Sequence, residues 1–178
     1  MDDAIIRHIY PNQGFFTVRV WADDGIDQID ATAQVRIINV EPTVRLSIQS
    51  PVNEGDEVLI TAEVSDPGAD SITLLWDLDG DGAPDPGRVD TVENGLIERR
   101  SLTADDGRYD ITVWADDGDG GETLVAQALV IENVAPQFPD GYQPPAAVEG
   151  QPYNRAIPAS DVAGQNDPIR YSLLEPPE

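Results

Sequence analysis

One segment occurs twice in this chain of 178 residues, and that repeat limits the folds open to it. Residues 14–25 read GFFTVRVWADDG and residues 107–118 read GRYDITVWADDG. Downstream, AQVRIINVEP ends at Pro42 and AQALVIENVAP ends at Pro136. Trp21 thus recurs as Trp114, 93 residues on, and Asn39 as Asn133, 94 residues on. A fainter echo runs at 95 residues, pairing Asn53-Glu54-Gly55 with Val148-Glu149-Gly150, Ser65-Asp66 with Ser160-Asp161, and Trp76-Asp77-Leu78 with Tyr171-Ser172-Leu173. A period near ~100 residues is too long for one helical solenoid unit and suits a whole sandwich domain per repeat. The chain reads as a slice of a modular array.

Within the repeat the apolar residues alternate with period two, and Gly, Pro and Asp punctuate them, which is the signature of strands and turns. Residues 43–134 form the one complete copy. Val44, Leu46 and Ile48 give its first strand; Val58, Ile60, Ala62 and Val64 the second; Ile72, Leu74 and Trp76 the third. A short strand follows around Val89 and another over Leu96 to Leu102. Tyr109, Ile111, Val113 and Ala115 mark the next, and Leu124, Ala126, Ala128 and Val130 are expected inward on the last. This predicts an all-β fold of tandem immunoglobulin-like antiparallel β-sandwiches, one complete and two partial. Residues 1–42 supply the C-terminal part of one module, with strands expected at Ile5–Ile9, Phe15–Ala22 and Ala31–Val40. Residues 135–178 supply the N-terminal part of another, with strands expected around Val148, Tyr153–Ile157 and Ile169–Leu173.

Arg contributes all the basic residues: Lys+Arg is 10 against Asp+Glu 34, a formal net charge of −24. That balance argues against nucleic acid and anionic membrane as partners, since both need a basic footprint. It favours solubility and cation binding. Without cysteine there is neither disulfide nor thiolate metal site. No apolar run is long enough to span a membrane, and the N-terminus lacks the basic and apolar regions of a signal peptide.

His8-Ile9-Tyr10-Pro11-Asn12-Gln13-Gly14-Phe15-Phe16-Thr17-Val18 resembles the H-x-Y-x-x-x-G-x-Y-x-V segment of PKD (polycystic kidney disease) domains. Trp76-Asp77-Leu78-Asp79-Gly80-Asp81-Gly82 is similar to that family's W-D-F-G-D-G signature with one residue added. Tyr109–Val113 followed by Asp116-Asp117-Gly118 resembles its late strand and turn. In the complete copy the His-x-Tyr is replaced by Ser101-Leu102-Thr103. The tail differs: Ala135-Pro136-Gln137-Phe138, Ala159-Ser160-Asp161 and Ile169-Arg170-Tyr171-Ser172-Leu173 are similar to cadherin-like and immunoglobulin-like bacterial modules. The cadherin D-x-D is lost there, because Ala163 stands at its second position. The resemblance implies an extracellular or cell-surface repeat region that spaces, rigidifies or adheres, with neighbouring modules of the same polypeptide, a surface protein or a glycan as partners.

Asp77-x-Asp79-x-Asp81-Gly82-x-x-Asp85 matches the opening of a calcium loop, since alternate Asp residues around a Gly turn bring several carboxylates inward. Arg88 occupies the twelfth position, where a bidentate Glu would close the shell. Two readings stand: Asp77, Asp79, Asp81 and Asp85 bind calcium, or they only shape a PKD-type turn under Trp76. In an immunoglobulin arrangement Asp77–Asp85 would lie at the same end as Asp105 and Asp106. Asp66 and Asp70 would lie at the other end with Asp116, Asp117 and Asp119. Cations held at such poles would keep successive modules straight; the alternative is a solvated acidic surface. Trp21 and Trp114 point opposite to Phe16, Val18 and Val20 and to Tyr109, Ile111 and Val113. As outward tryptophans at strand ends they would stack on a sugar ring or pack under a loop. His8 is the sole histidine, no Ser-His-Asp set can be built in the complete module, and no two carboxylates stand out as an acid-base pair. The reading is a non-catalytic spacer or adhesion region, with a carbohydrate-binding or substrate-presenting accessory module of a secreted hydrolase as the alternative.

Overall fold

The computed structural model describes residues 5–102 and 105–172, which form strands and turns without a helix. Ten strands follow in chain order: β1 (Gly14–Asp23), β2 (Gln28–Ile37), β3 (Thr43–Ile48), β4 (Val52–Asn53), β5 (Glu57–Ser65), β6 (Ile72–Asp77), β7 (Val89–Val92), β8 (Gly95–Leu102), β9 (Gly107–Asp116) and β10 (Glu122–Glu132). They make three sheets. β1 and β2 pair alone, a second sheet runs β4-β10-β9-β6-β7, and a third runs β3-β5-β8. The architecture is all-β, consistent with a β-sandwich.

The chain divides into two compact units. The first comprises the described residues up to Ser47, Thr61–Glu98 and Asp110–Gln127. Its core is drawn from one face of each larger sheet: Val44, Leu46, Ala62 and Val64 from β3 and β5, and Ile72, Leu74, Trp76, Ile111, Val113 and Ala115 from β6 and β9. The alternation is clearest where polar residues fill the intervening positions, as in the buried-exposed pattern of Val44-Arg45-Leu46-Ser47. β6 and β9 pair antiparallel, with Trp76 opposite Val113 and Leu74 opposite Ala115. This unit also holds the β1–β2 hairpin, in register from Gly14↔Ile37 to Asp23↔Gln28. Its turn is closed by carboxylates: Asp24 Oδ1 accepts the N–H groups of Ile26 at 3.0 Å and Asp27 at 2.9 Å. Those donors hold the Asp24 carboxyl below its usual range. Two strands alone cannot bury both faces. Phe15, Trp21 and Ile29 accordingly stay exposed, and Val20, expected inward, is exposed as well.

The second unit comprises Ile48–Ile60, Arg99–Tyr109 and the described residues from Ala128 onward. Ile48, Val52, Val58, Ile60, Leu129, Ile131 and Ala163 form its core. β4 joins β10 in parallel, with Val52 beside Ile131. The segment after Val134 forms no strand among the described residues. One antiparallel bridge anchors it, in which Gln137 and Ser160 exchange N–H···O bonds of 2.8 and 2.9 Å.

Two expectations are corrected. On β10 the inward set is Leu129 and Ile131 with Val125 half-buried, while Leu124, Ala126 and Val130 are exposed. Both faces of β10 carry apolar residues, so alternation alone leaves the phase open. Turning Leu129 and Ile131 inward buries more apolar area than turning Ala128 and Val130 inward. The strands expected at Ile5–Ile9, around Val148 and over Tyr153–Ile157 do not form, nor does the one expected over Ile169–Leu173 as far as Ser172. None of these segments pairs with a strand among the described residues. Leu173 lies outside the described residues.

Candidate cation-binding site

Three acidic groupings arise from turns at strand ends. The first is the loop after β6. Trp76 is fully buried and its Nε1 donates to Asp90 Oδ2 at 2.9 Å, which pins the end of the strand. Asp77 follows, also fully buried, with Oδ1 accepting Gly80 N–H at 2.6 Å and Oδ2 accepting Gly82 N–H at 2.8 Å. Gly80 and Gly82 have φ of 75° and 89°, so both need the left-handed freedom of glycine. Asp85 Oδ2 accepts Leu78 N–H at 2.9 Å, and Asp81 Oδ1 accepts Ala83 N–H at 2.8 Å. Carboxylate oxygens of Asp77, Asp79 and Asp85 lie within 4.8 Å of one another, and Asp81 is outside that triad. The Asp81 N–H lowers the Asp79 carboxyl, but burial and the charges of Asp81, Asp85 and Asp77 outweigh it and leave Asp79 above its usual range. The loop's backbone donors already serve the oxygens of Asp77, so the triad has a structural task whatever else it holds.

The second grouping centres on Glu54 in the turn after β4, and sequence reasoning did not single it out. Glu54 is only 2% exposed. Its Oε1 accepts Val134 N–H at 2.7 Å, while Oε2 is buried without any hydrogen-bond partner. Two triads share this residue: Glu54 with Asp105 and Asp106, and Glu54 with Asp161 and Asp167, each with oxygens mutually within 4.8 Å. Gly55, at φ 81°, keeps the turn tight against Val162; a Cβ there would stand 3.2 Å from the Val162 Cβ. Asp161 is fixed by Ala163 N–H donating to its Oδ1 at 2.9 Å. Burial, followed by the charges of Asp105 and Asp106, pushes the Tyr109 phenol up. An unpaired buried carboxylate oxygen ordinarily costs several kcal/mol. An all-oxygen donor set carrying excess negative charge fits a hard divalent cation such as calcium, which takes six to eight oxygens. The signal available in the sequence was weak: the Glu54-Gly55 turn and Asp161 each belong to the 95-residue echo, yet nothing local connects them to Asp105 or Asp167.

The third grouping was expected from topology. Asp66, Asp70, Asp117 and Asp119 come together around the turn before β6 and the β9–β10 hairpin. Asp116 instead caps its own turn, its Oδ1 accepting Gly118 N–H at 2.7 Å. Asp105 and Asp106 gather at Glu54.

Trp21 is 61% exposed and lines a shallow concavity with His8, Tyr10 and Val18. Trp114 is half-buried beside Leu75, Pro84 and Leu124. His8 packs edge-on against Tyr10 at 4.6 Å between ring centroids, and Tyr10 in turn touches Phe16, so the histidine sits in an aromatic stack.

No protein-family model matches the chain, and no curated protein matches it in sequence. No helix among the described residues is long and apolar enough to cross a membrane.

Proposed function

We propose that this chain is a non-catalytic, extracellular repeat region whose immunoglobulin-like modules, PKD-like over 1–42 and 43–134 and cadherin-like over 135–178, act as spacers or adhesion units stiffened by calcium. The observation that carries the cation part is the buried, partnerless Oε2 of Glu54 between two carboxylate triads. Glu54, Asp105 and Asp106 would belong to the complete module, and Asp161 and Asp167 to the next. A cation shared between the triads would therefore tie the Asn133-Val134-Ala135-Pro136 linker in place, and Val134 N–H already bonds to Glu54. Proline restricts that linker's backbone, which favours a semi-rigid junction. The Asp77, Asp79 and Asp85 triad is a second candidate cation site, with Asp81 at its rim. Neighbouring modules of the same polypeptide are the partners this reading requires. Calorimetric titration of the chain with calcium tests it: binding that Glu54→Gln weakens at least tenfold is expected, and identical binding by both proteins would refute it.

A second reading rests on the exposed Trp21 above its concavity: a carbohydrate-binding accessory module of a secreted hydrolase. Glycan-array binding lost on Trp21→Ala or Trp114→Ala would favour it over the spacer.

A further inference from the structure

A cavity of about 140 Å³ lies within the first compact unit, between residues 10–13, the linker at Asn39, and the turn Asp66–Asp70. Two of its lining residues present buried oxygens without a hydrogen-bond partner, Gln13 Oε1 and Asp66 Oδ2. Asp66 is 8% exposed, and its other oxygen is used: Oδ1 accepts Gly68 N–H at 2.6 Å. Its backbone N–H is held by Asn94 Oδ1 at 2.7 Å, so the side chain cannot readily swing out. The two walls are tied together, since Ala69 N–H donates to the Pro11 carbonyl at 3.0 Å. Among the described residues no arginine lines the cavity.

The neighbouring carboxylates divide into two kinds. Asp117 is fully committed. Its Oδ1 accepts the N–H groups of Asp119 at 2.8 Å and Gly121 at 2.9 Å, and Oδ2 accepts Asn39 Nδ2 at 2.6 Å. Burial pushes this carboxyl up, but the Asn39 amide and the backbone donors outweigh it and hold it below its usual range. Asp70 has no such donors. Burial first, and then the charges of Asp119 and Asp66, push it up. Gly68 keeps the mouth open: a Cβ there would collide with Asp70 Oδ2 and stand 2.9 Å from Asp66 Oδ1.

We propose that this cavity is a further cation site, in which Asp66 Oδ2, the Asp70 carboxylate and Gln13 Oε1 ligate a partly hydrated divalent cation of the calcium class. The site belongs to the same ligand class as the Glu54 cluster but shares no residue with it. The donors are hard oxygens, too few to complete calcium's shell, and the cavity has room for the waters that would complete it. The ion would join residues 10–13 to the turn before β6, making the linker Asn39–Pro42 the second junction that a cation fixes.

The test uses the full chain carrying Glu54→Gln, so that the Glu54 cluster contributes nothing. Calcium titration by calorimetry should show a remaining binding event. Asp66→Asn and Gln13→Ala, each added to that background, should weaken it at least tenfold; the first keeps the oxygen that Gly68 uses, and the second leaves the turn untouched. Circular dichroism confirms folding of each variant. Calcium binding by Glu54→Gln that neither variant alters, or no binding by Glu54→Gln at all, overturns the proposal. Unaltered binding on introducing Glu54→Gln into the wild-type chain would instead count against the Glu54 cluster.

Discussion

Glu54→Gln separates an ion-binding carboxylate from an ordinary buried one. Glu54 is 2% exposed with one oxygen unpartnered, and it faces Asp105, Asp106, Asp161 and Asp167 across no more than 4.8 Å within each triad. Asp105 and Asp106 are exposed, so their repulsion is screened to about 1 kcal/mol per pair rather than the larger value of a dry interior. Gln preserves the acceptor for Val134 N–H and removes the charge. Relief of ~2 kcal/mol in chelator is a fair working figure, which for a chain of this size raises Tm by about 4–8 °C. Calcium at ~100 times its Kd should stabilise the wild type by ~2.7 kcal/mol, a rise of about 5–11 °C. The variant should gain clearly less. Differential scanning calorimetry in calcium and in chelator therefore gives two opposed expectations: the variant melts higher than wild type without the ion and responds less to it. A variant that melts lower than wild type in chelator, with an undiminished calcium response, would refute the reasoning.

Three other outcomes follow from particular contacts. Trp76→Ala empties the centre of the first unit's core and should cost ~3–5 kcal/mol by denaturant titration, since the indole is fully buried and also donates to Asp90. Asp117→Asn turns an acceptor of Asn39 into a group that can present a second donor, and should cost ~1.5–3 kcal/mol at pH 7. Because the Asp117 carboxyl is held below its usual range, its contribution is complete at and above the pH where a free aspartate ionises and fades as pH falls through the lowered value, so the two proteins should converge in acid melts. Asp79→Ala together with Asp81→Ala should reduce the calcium response only by the share of the loop after β6; titration that instead loses all binding would move the cation site from Glu54 to that loop.

The strand phases of β3, β5, β6 and β9 were legible because the core residues of each fall on alternate positions and the other face is mainly polar, with Leu59, Leu75 and Trp114 as its large apolar residues, as in Glu57-Val58-Leu59-Ile60-Thr61-Ala62-Glu63-Val64. β10 was not, because Leu124, Val125, Ala128, Leu129, Val130 and Ile131 make both faces apolar, and pairing with β4 beside Val52 goes with the inward turn of Ile131. The gathering of Asp66 and Asp70 with Asp117 and Asp119 could be read from which loops share an end of a sandwich. The Glu54 cluster could not: it draws on turns 51 and 107 residues apart along the chain, from Glu54 to Asp105 and to Asp161. Burial decides its meaning, and burial of a single glutamate beside a glycine turn leaves no periodic trace. The calcium-like spacing of Asp77 to Asp85 was visible, yet in the fold much of its regularity goes into binding backbone N–H groups.

The claim at the centre of this account is that cations stiffen the chain. Small-angle X-ray scattering of the full chain in about 2 mM calcium and in excess chelator measures this directly. The account predicts a sharper distance distribution with calcium, and a broader one in chelator that Glu54→Gln shows in both solutions. Superimposable curves for the wild type with and without calcium would contradict it.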